Sequence, residues 1–254
     1  MSEAGAVMPM LEHLRELRTR IVRIALAVAA GTIVFLVFYG RFKDLLTKPY
    51  VDICAANNDL DCDGSLYSLG PLDGFSARVR ISVYGGILLS LPVIVWQIWR
   101  FIVPALESRE RRYAVPFLLS SAVLFVAGCS LGYWTLGQAL EFLIAWAGDD
   151  ITEAYRINDY VNLVALMMLA FGVGFLSPVL IVFLQLVGVV SPRALLRKWR
   201  HAVMGIFVLA AVITPSGDPV TLLALAVPLS VMYLVAVLVG WLVLRRRSRT
   251  APGA

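Results

Sequence analysis

Charge is scarce in this chain. Only 15% of its 254 residues are Asp, Glu, Lys or Arg, against roughly a quarter in an ordinary soluble domain, so a solvated globular surface is excluded. Histidine occurs twice, at His13 and His201, and cysteine three times. Neither supplies the closely spaced donors of a metal centre. There is no phosphate-binding loop of the glycine-lysine type and no nucleophile elbow at a strand-to-helix turn, so nucleotide hydrolysis and covalent catalysis have no foundation here. "DLDCDG" (Asp59 to Gly64) opens like a calcium loop, but its twelfth position is Gly70 where a bidentate glutamate is needed, and it reads as a solvated acidic turn. No internal repeat or low-complexity linker appears, and no cleavable signal peptide is expected, because no small-residue cleavage pattern follows the first apolar block.

What the chain has is apolar length. It is 60% hydrophobic with a mean hydropathy of +0.83. Six apolar blocks stand out: Ile21 to Tyr39, Ile81 to Trp99, Val115 to Leu136, Tyr160 to Val190, Ala202 to Ile213 and Val220 to Leu244. Most are long enough to cross a hydrocarbon core of about 30 Å. The expectation is one all-α integral membrane domain over residues 21–244, with six transmembrane helices. An amphipathic helix over 1–20 precedes it and a basic, disordered tail over 245–254 follows. Residues 40–80 form the first loop on one side and residues 100–114 the first loop on the other.

Orientation follows from the cations. Sixteen of the 22 lysines and arginines fall on one side of an alternating six-span path: the N-terminal Arg15 to Arg23, the Arg100 to Arg112 connection, the Arg193 to Arg200 connection and the tail. The positive-inside rule puts both termini in the cytoplasm. The net charge of +5 is therefore a topology signal, and no nucleic-acid surface is expected.

Two blocks are unusual. Ala202 to Ile213 makes only about 18 Å of helix and runs into "TPSGDP", a turn with two prolines. Either the last two helices form a short hairpin, or Trp199 to Pro215 is all helix and the span is nearly normal. Pro92, Pro178 and Pro228 lie inside blocks and each removes a backbone hydrogen bond. Several such kinks build a curved wall, although single prolines are ordinary in membrane helices. "GCSLG" places Gly128 and Gly132 four apart, a spacing that lets helix backbones approach closely. Cys54 and Cys62 lie in the first connection, where an oxidising compartment permits a disulfide; Cys129 reads as a buried packing residue.

The carboxylates at the cytoplasmic rim are harder to place. Glu12 and Glu16 share one face of "MPMLEHLRELRTRI", opposite Met10, Leu14, Leu17 and Ile21. Glu107 and Glu110 stand among arginines in "PALESRERRYAVP". Read alone, Glu16 pairs with Arg20 and Glu107 with Arg111, each one helical turn away. Read together, two cytoplasmic segments present carboxylates that suit a dibasic ligand.

Several blocks, in order, carry a family resemblance: "HLRELRTR" (His13 to Arg20), "LPVIVWQIWRFIVPAL" (Leu91 to Leu106) with "RERR" (Arg109 to Arg112), "FVAGCSLGY" (Phe125 to Tyr133), "FGVGFLSPV" (Phe171 to Val179) and "TPSGDP" (Thr214 to Pro219). Over about residues 10–244 the chain resembles TatC, the core receptor subunit of the twin-arginine protein translocase. The resemblance implies a curved, glove-like six-helix wall with the last two helices short. It implies binding of twin-arginine signal peptides and transport of folded proteins driven by the proton-motive force, with no cofactor. The implied partners are the single-span TatA and TatB subunits, the bilayer and further copies within a homo-oligomeric receptor, in the bacterial plasma membrane.

By the matched motifs Glu16 and Glu110 hold the two arginines, since a guanidinium fork matches a carboxylate. Phe101 packs the apolar part of the signal or supports the loop. Arg18, Pro49, Arg111 and Arg112 carry over as motif positions with a more structural part, whereas Glu107 is not a position the family requires. Thr214, Asp218 and Thr221 are the polar groups left for partner-helix contact, because relatives often carry a polar residue at the places of Leu176 and Leu222. The rival class is a small-molecule permease, which needs an ionisable or broken-helix centre at mid-membrane, usually in paired repeats.

Overall fold

The computed structural model describes residues 10–56, 66–102, 114–147, 155–214 and 217–249. Among them the chain is all helical: α1 (Met10–Val37), α2 (Tyr39–Ala56), α3 (Asp73–Ile102), α4 (Ala114–Ala147), α5 (Ile157–Gly174), α6 (Ser177–Leu186), α7 (Pro192–Arg197), α8 (Trp199–Ile213) and α9 (Pro219–Arg249). Five segments are long and apolar enough to cross a membrane: Leu14–Val37, Asp73–Arg100, Val115–Trp146, Ile157–Leu186 and Pro219–Arg245. The fourth joins α5 and α6 across a break at Phe175 and Leu176. Pro178 enforces that break, because it has no N–H to give to the Gly174 carbonyl. Helix α8 has 15 residues, about 22 Å of helix, and lies between the two lengths expected for it.

Several boundaries differ from expectation. The amphipathic N-terminal segment is not a separate helix. No helix breaker lies between Glu16 and Ala30, so it runs directly into the first span as α1. Much of the expected loop over 40–80 is helical. Phe42, Leu46, Tyr50 and Ile53 recur at helical spacing in α2 and pack into the main core, a period that the surrounding lysines and aspartates conceal. The last helix is not short either: α9 runs 31 residues through Pro228 and on to Arg249, so the start of the expected disordered tail is helical.

Close backbone approach joins the spans. Helices α1 and α3 meet at Gly86, where an added Cβ would lie 2.6 Å from the Thr32 amide nitrogen. The Ser90 hydroxyl crosses the same seam and donates to the Ala27 carbonyl at 2.8 Å. Helices α4 and α5 meet at Gly128, where a Cβ would lie 2.5 Å from the Phe171 carbonyl oxygen. The expectation from "GCSLG" thus holds within the chain. Small residues at such crossings allow dispersion contact between backbones, which in lipid replaces the missing hydrophobic drive. Around them Leu136, Leu140, Tyr160, Val164 and Phe171 form the fully buried core.

Helix α2 docks by a specific exchange. Pro49 cannot donate to Leu45, leaving that carbonyl without its helical partner. The Tyr133 hydroxyl of α4 donates to it at 2.7 Å. One residue on, Tyr160 of α5 donates to the Leu46 carbonyl at 2.9 Å. At the same end of the molecule, Asn158 donates from Nδ2 to Asp73 Oδ1 at 3.1 Å. There the Tyr67 backbone also bridges to Tyr155 and Ile157.

Candidate functional site

Helix α1 brings Glu16 to the end of α3, and one buried arginine sets the geometry. Arg20 is only 7% exposed. Its guanidinium pairs with Glu16 Oε1, donates to the Arg100 carbonyl at 2.9 Å and reaches the Gln97 carbonyl at 3.4 Å. Arg100 lies in the last turn of α3, where carbonyls have no partner within the helix and the dipole favours a cation. A planar fork serves several acceptors at once; an ammonium does not. Glu16 is therefore locked beside the point where α3 gives way to residues 103–113. Its side chain is 28% exposed, and Oε2 makes no hydrogen bond among the described residues.

Of the other expected recognition residues, Arg18 is exposed on the same turn of α1. Phe101 closes the backbone of α3, though its side chain lies outside the described residues. So do Glu110, Arg111 and Arg112. Pro49 is not brought to this site. The length of α1 from Glu16 to Val37 separates the two by roughly 30 Å, and the work of Pro49 is the Tyr133 exchange above.

Arg20 was legible only as a local partner of Glu16, because its contacts with α3 join residues 77 and 80 apart in sequence. Gln97 has no role assigned from the sequence. It is buried, and its Oε1 has no hydrogen-bond partner among the described residues. The available signal was a lone amide within the apolar run "VIVWQIW", since polar groups in spans are costly. On the other side of α3, Trp99 stacks on Phe117 with centroids 5.2 Å apart and meets Phe183 edge-on at 4.8 Å. An apolar cavity of about 310 Å³ opens beside them, reaching Leu176 and Ser177.

The polar groups assigned to the α8–α9 hairpin turn inward. Thr214, Asp218 and Thr221 are all buried. The Thr214 hydroxyl donates to the Ala210 carbonyl. Asp218 precedes Pro219 as the N-cap of α9, its Oδ1 accepting from the Thr221 amide at 2.8 Å and its Oδ2 from the Thr221 hydroxyl at 2.7 Å. The turn chemistry Asp-Pro-x-Thr accounts for the capping bonds. What the hairpin offers outward is apolar: Val208, Val212 and Leu223 are exposed.

Cys54 is disulfide-bonded, and Cys62 lies outside the described residues. Cys129 is buried and unpaired; its thiol points at the Met168 carbonyl, 3.4 Å away. Gly128 to Gly132 has the letters of a hydrolase elbow but lies inside α4, where Ser130 donates to its own helix at Val126. Among the described residues, no three His, Cys, Asp or Glu side chains gather in a metal-binding group.

Long apolar helices locked by glycine contacts, with a carboxylate held at one rim, define a polytopic helical membrane protein. A sequence model of the family described as "Sec-independent protein translocase protein (TatC)" matches residues 12–228. The TatC protein of Frankia casuarinae is 41% identical over 95% of this chain and 68% of its own length. A chloroplastic TATC of Arabidopsis thaliana is 36% identical over 89% of this chain and 64% of its own length. A crystal structure described as the twin arginine translocase receptor TatC superposes with a TM-score of 0.74 at 31% identity, covering 91% of this chain and 98% of that one. The chain belongs to the TatC family. It is a multi-pass membrane subunit of Sec-independent protein translocation and a transport component, not an enzyme, which displaces the permease reading.

Proposed function

We propose that the chain receives twin-arginine signal peptides at the α1–α3 rim, Glu16 and Glu110 each taking one arginine. The observation that carries this is the Arg20 tie. It fixes a partly exposed carboxylate at the end of α3 and leaves one of its oxygens without a hydrogen bond among the described residues, next to the point where residues 103–113, which include Glu110, begin. A pre-positioned carboxylate binds more tightly than one that must be ordered. Phe101, Arg18 and Arg111 border this rim in sequence and act as supports.

The transport cycle runs on the proton-motive force with TatA and TatB as partners, in a bacterial plasma membrane, within a homo-oligomeric receptor. Six spans form a curved, glove-like wall with both termini cytoplasmic. Partner helices meet the α8–α9 hairpin through its exposed apolar flank, with Thr214, Asp218 and Thr221 shaping the turn from within. Cys54 pairs with Cys62 on the exported side. Maleimide applied to intact cells tests the last point: both cysteines should label only after reduction, and labelling that requires lysis would overturn the orientation.

The central test is cross-linking of a twin-arginine peptide to the protein in membranes. A hydrogen bond to a charged group is worth about 1.5–3 kcal/mol. With interfacial water reducing this, Glu16→Gln or Glu110→Gln should lower affinity by roughly tenfold. Glu107→Gln should matter less. Replacing the arginines of the signal by lysines should weaken binding in the parent, because the fork is lost. Undiminished binding by both single Gln variants would remove the clamp.

A further inference from the structure

A basic notch at one end of α9 has no part in the translocation reading. It is a cavity of about 360 Å³ between Ser191, Pro192 and Arg193, the N-cap and first turn of α7, and Trp241, Leu244 and Arg245 of α9. That volume lies toward the lower end of the range for small-molecule sites, roughly 300–1,000 Å³. The walls are held in register, since the Tyr233 hydroxyl of α9 donates to the Leu195 carbonyl of α7 at 3.0 Å. The Arg245 guanidinium lies over the Trp241 ring, 5.0 Å from its centroid, a cation–π arrangement that orients it at the notch. Arg193 is exposed and makes no ion pair with any described residue.

Helices α6, α7 and α9 contain no Asp or Glu. No Asp or Glu occurs between Asp159 and Asp218, and none follows Asp218. Those stretches hold Arg193, Arg197, Lys198, Arg200 and the arginines of 245–249. Toward the middle of α9, Leu234 is 43% and Leu238 54% exposed. Leu234, Leu238, Trp241 and Arg245 advance by four, three and four residues and so share one helix face. Along that face the order is aliphatic, aromatic, cationic. A phospholipid has the same order from acyl chain through glycerol to phosphate, and tryptophan favours the headgroup level.

We infer that this notch seats an anionic phospholipid. Its phosphodiester lies between Arg193 and Arg245, its glycerol backbone against Trp241, and an acyl chain along Leu238 and Leu234. Basic pockets between helices at a membrane boundary hold headgroups in this way.

The test is native mass spectrometry of the purified full-length protein, delipidated and then incubated with phosphatidylglycerol or phosphatidylcholine. The parent should retain phosphatidylglycerol over phosphatidylcholine. Arg193→Gln and Arg245→Gln should each lower that retention roughly fivefold, from the contribution of one arginine near a lipid surface. Arg197→Gln, exposed but outside the notch, should retain the lipid as the parent does, and thermal melts should show all three variants folded. Soluble glycerol 3-phosphate at the same concentration should not be retained. Equal retention of both lipids by the parent would overturn the site. So would an equal loss in Arg197→Gln, which would make it general surface charge, or retention of glycerol 3-phosphate as strong as that of the lipid, which would remove the acyl contact.

Discussion

Replacing Arg20 by Gln should destabilise this protein more than replacing any exposed arginine of the same helix, because Arg20 holds α1 to α3. The substitution removes the 2.9 Å bond to the Arg100 carbonyl and leaves that helix-end acceptor with one donor fewer. A charge-assisted bond of this kind contributes about 1.5–3 kcal/mol. The weaker contact with Gln97, at 3.4 Å, adds little. Unpairing Glu16, which is 28% exposed, also adds little, since water takes the place of the partner. A loss of about 2–3 kcal/mol corresponds to a fall in melting temperature of roughly 5–10 °C for a chain of this size. Arg20→Lys should fall between parent and Gln, because an ammonium keeps the charge but cannot reach every acceptor. Arg18→Gln, on the exposed side of the same turn, is the control and should stay within about 1 °C, as surface substitutions do. The measurement is the thermal melt of each purified protein in one detergent. If Arg20→Gln melts with Arg18→Gln, the tie contributes nothing, and Glu16 is not held in place by the route described.

Two further outcomes follow from the helix seams and the docking of α2. Gly128→Leu should separate α4 from α5, since its Cβ meets backbone at 2.5 Å and backbone cannot rotate aside; overpacking of this kind costs about 1–3 kcal/mol or more. Gly137→Leu on the same helix meets nothing within 4 Å and should melt like the parent. Tyr133→Phe should cost about 1–3 kcal/mol by leaving the Leu45 carbonyl without a donor. That cost should shrink in a Pro49→Ala background, where the backbone amide restored by the substitution can donate to Leu45. An unchanged Tyr133→Phe cost in the two backgrounds, read by a double-mutant cycle, would show that Pro49 and Tyr133 are not coupled through that carbonyl.

By itself the sequence determined what depends on neighbours along the chain. Hydropathy is a running average, so the membrane class, five long spans and one shorter apolar helix could be read directly. Ordered motifs such as "HLRELRTR" and "TPSGDP" carried the family, and the resemblance, not residue chemistry alone, pointed to Glu16 and Glu110. Local charge hid what local period should have revealed: the lysines and aspartates of α2 masked the Phe42, Leu46, Tyr50, Ile53 stripe, and the arginines after Leu244 masked the end of α9. The tertiary structure alone decided what depends on contact between distant segments. It made Arg20 a tie to α3 and not only a partner for Glu16. It gave Pro49 a partner in Tyr133, far from the rim. It turned Asp218 and Thr221 inward as the cap of α9 and Thr214 inward onto the Ala210 carbonyl of α8, because buried helix ends need polar partners. It also brought Arg193 and Arg245 to one notch. A backbone acceptor has no letter of its own in a sequence. Which side chain satisfies the Leu45 or Arg100 carbonyl becomes visible only when the helices have been placed.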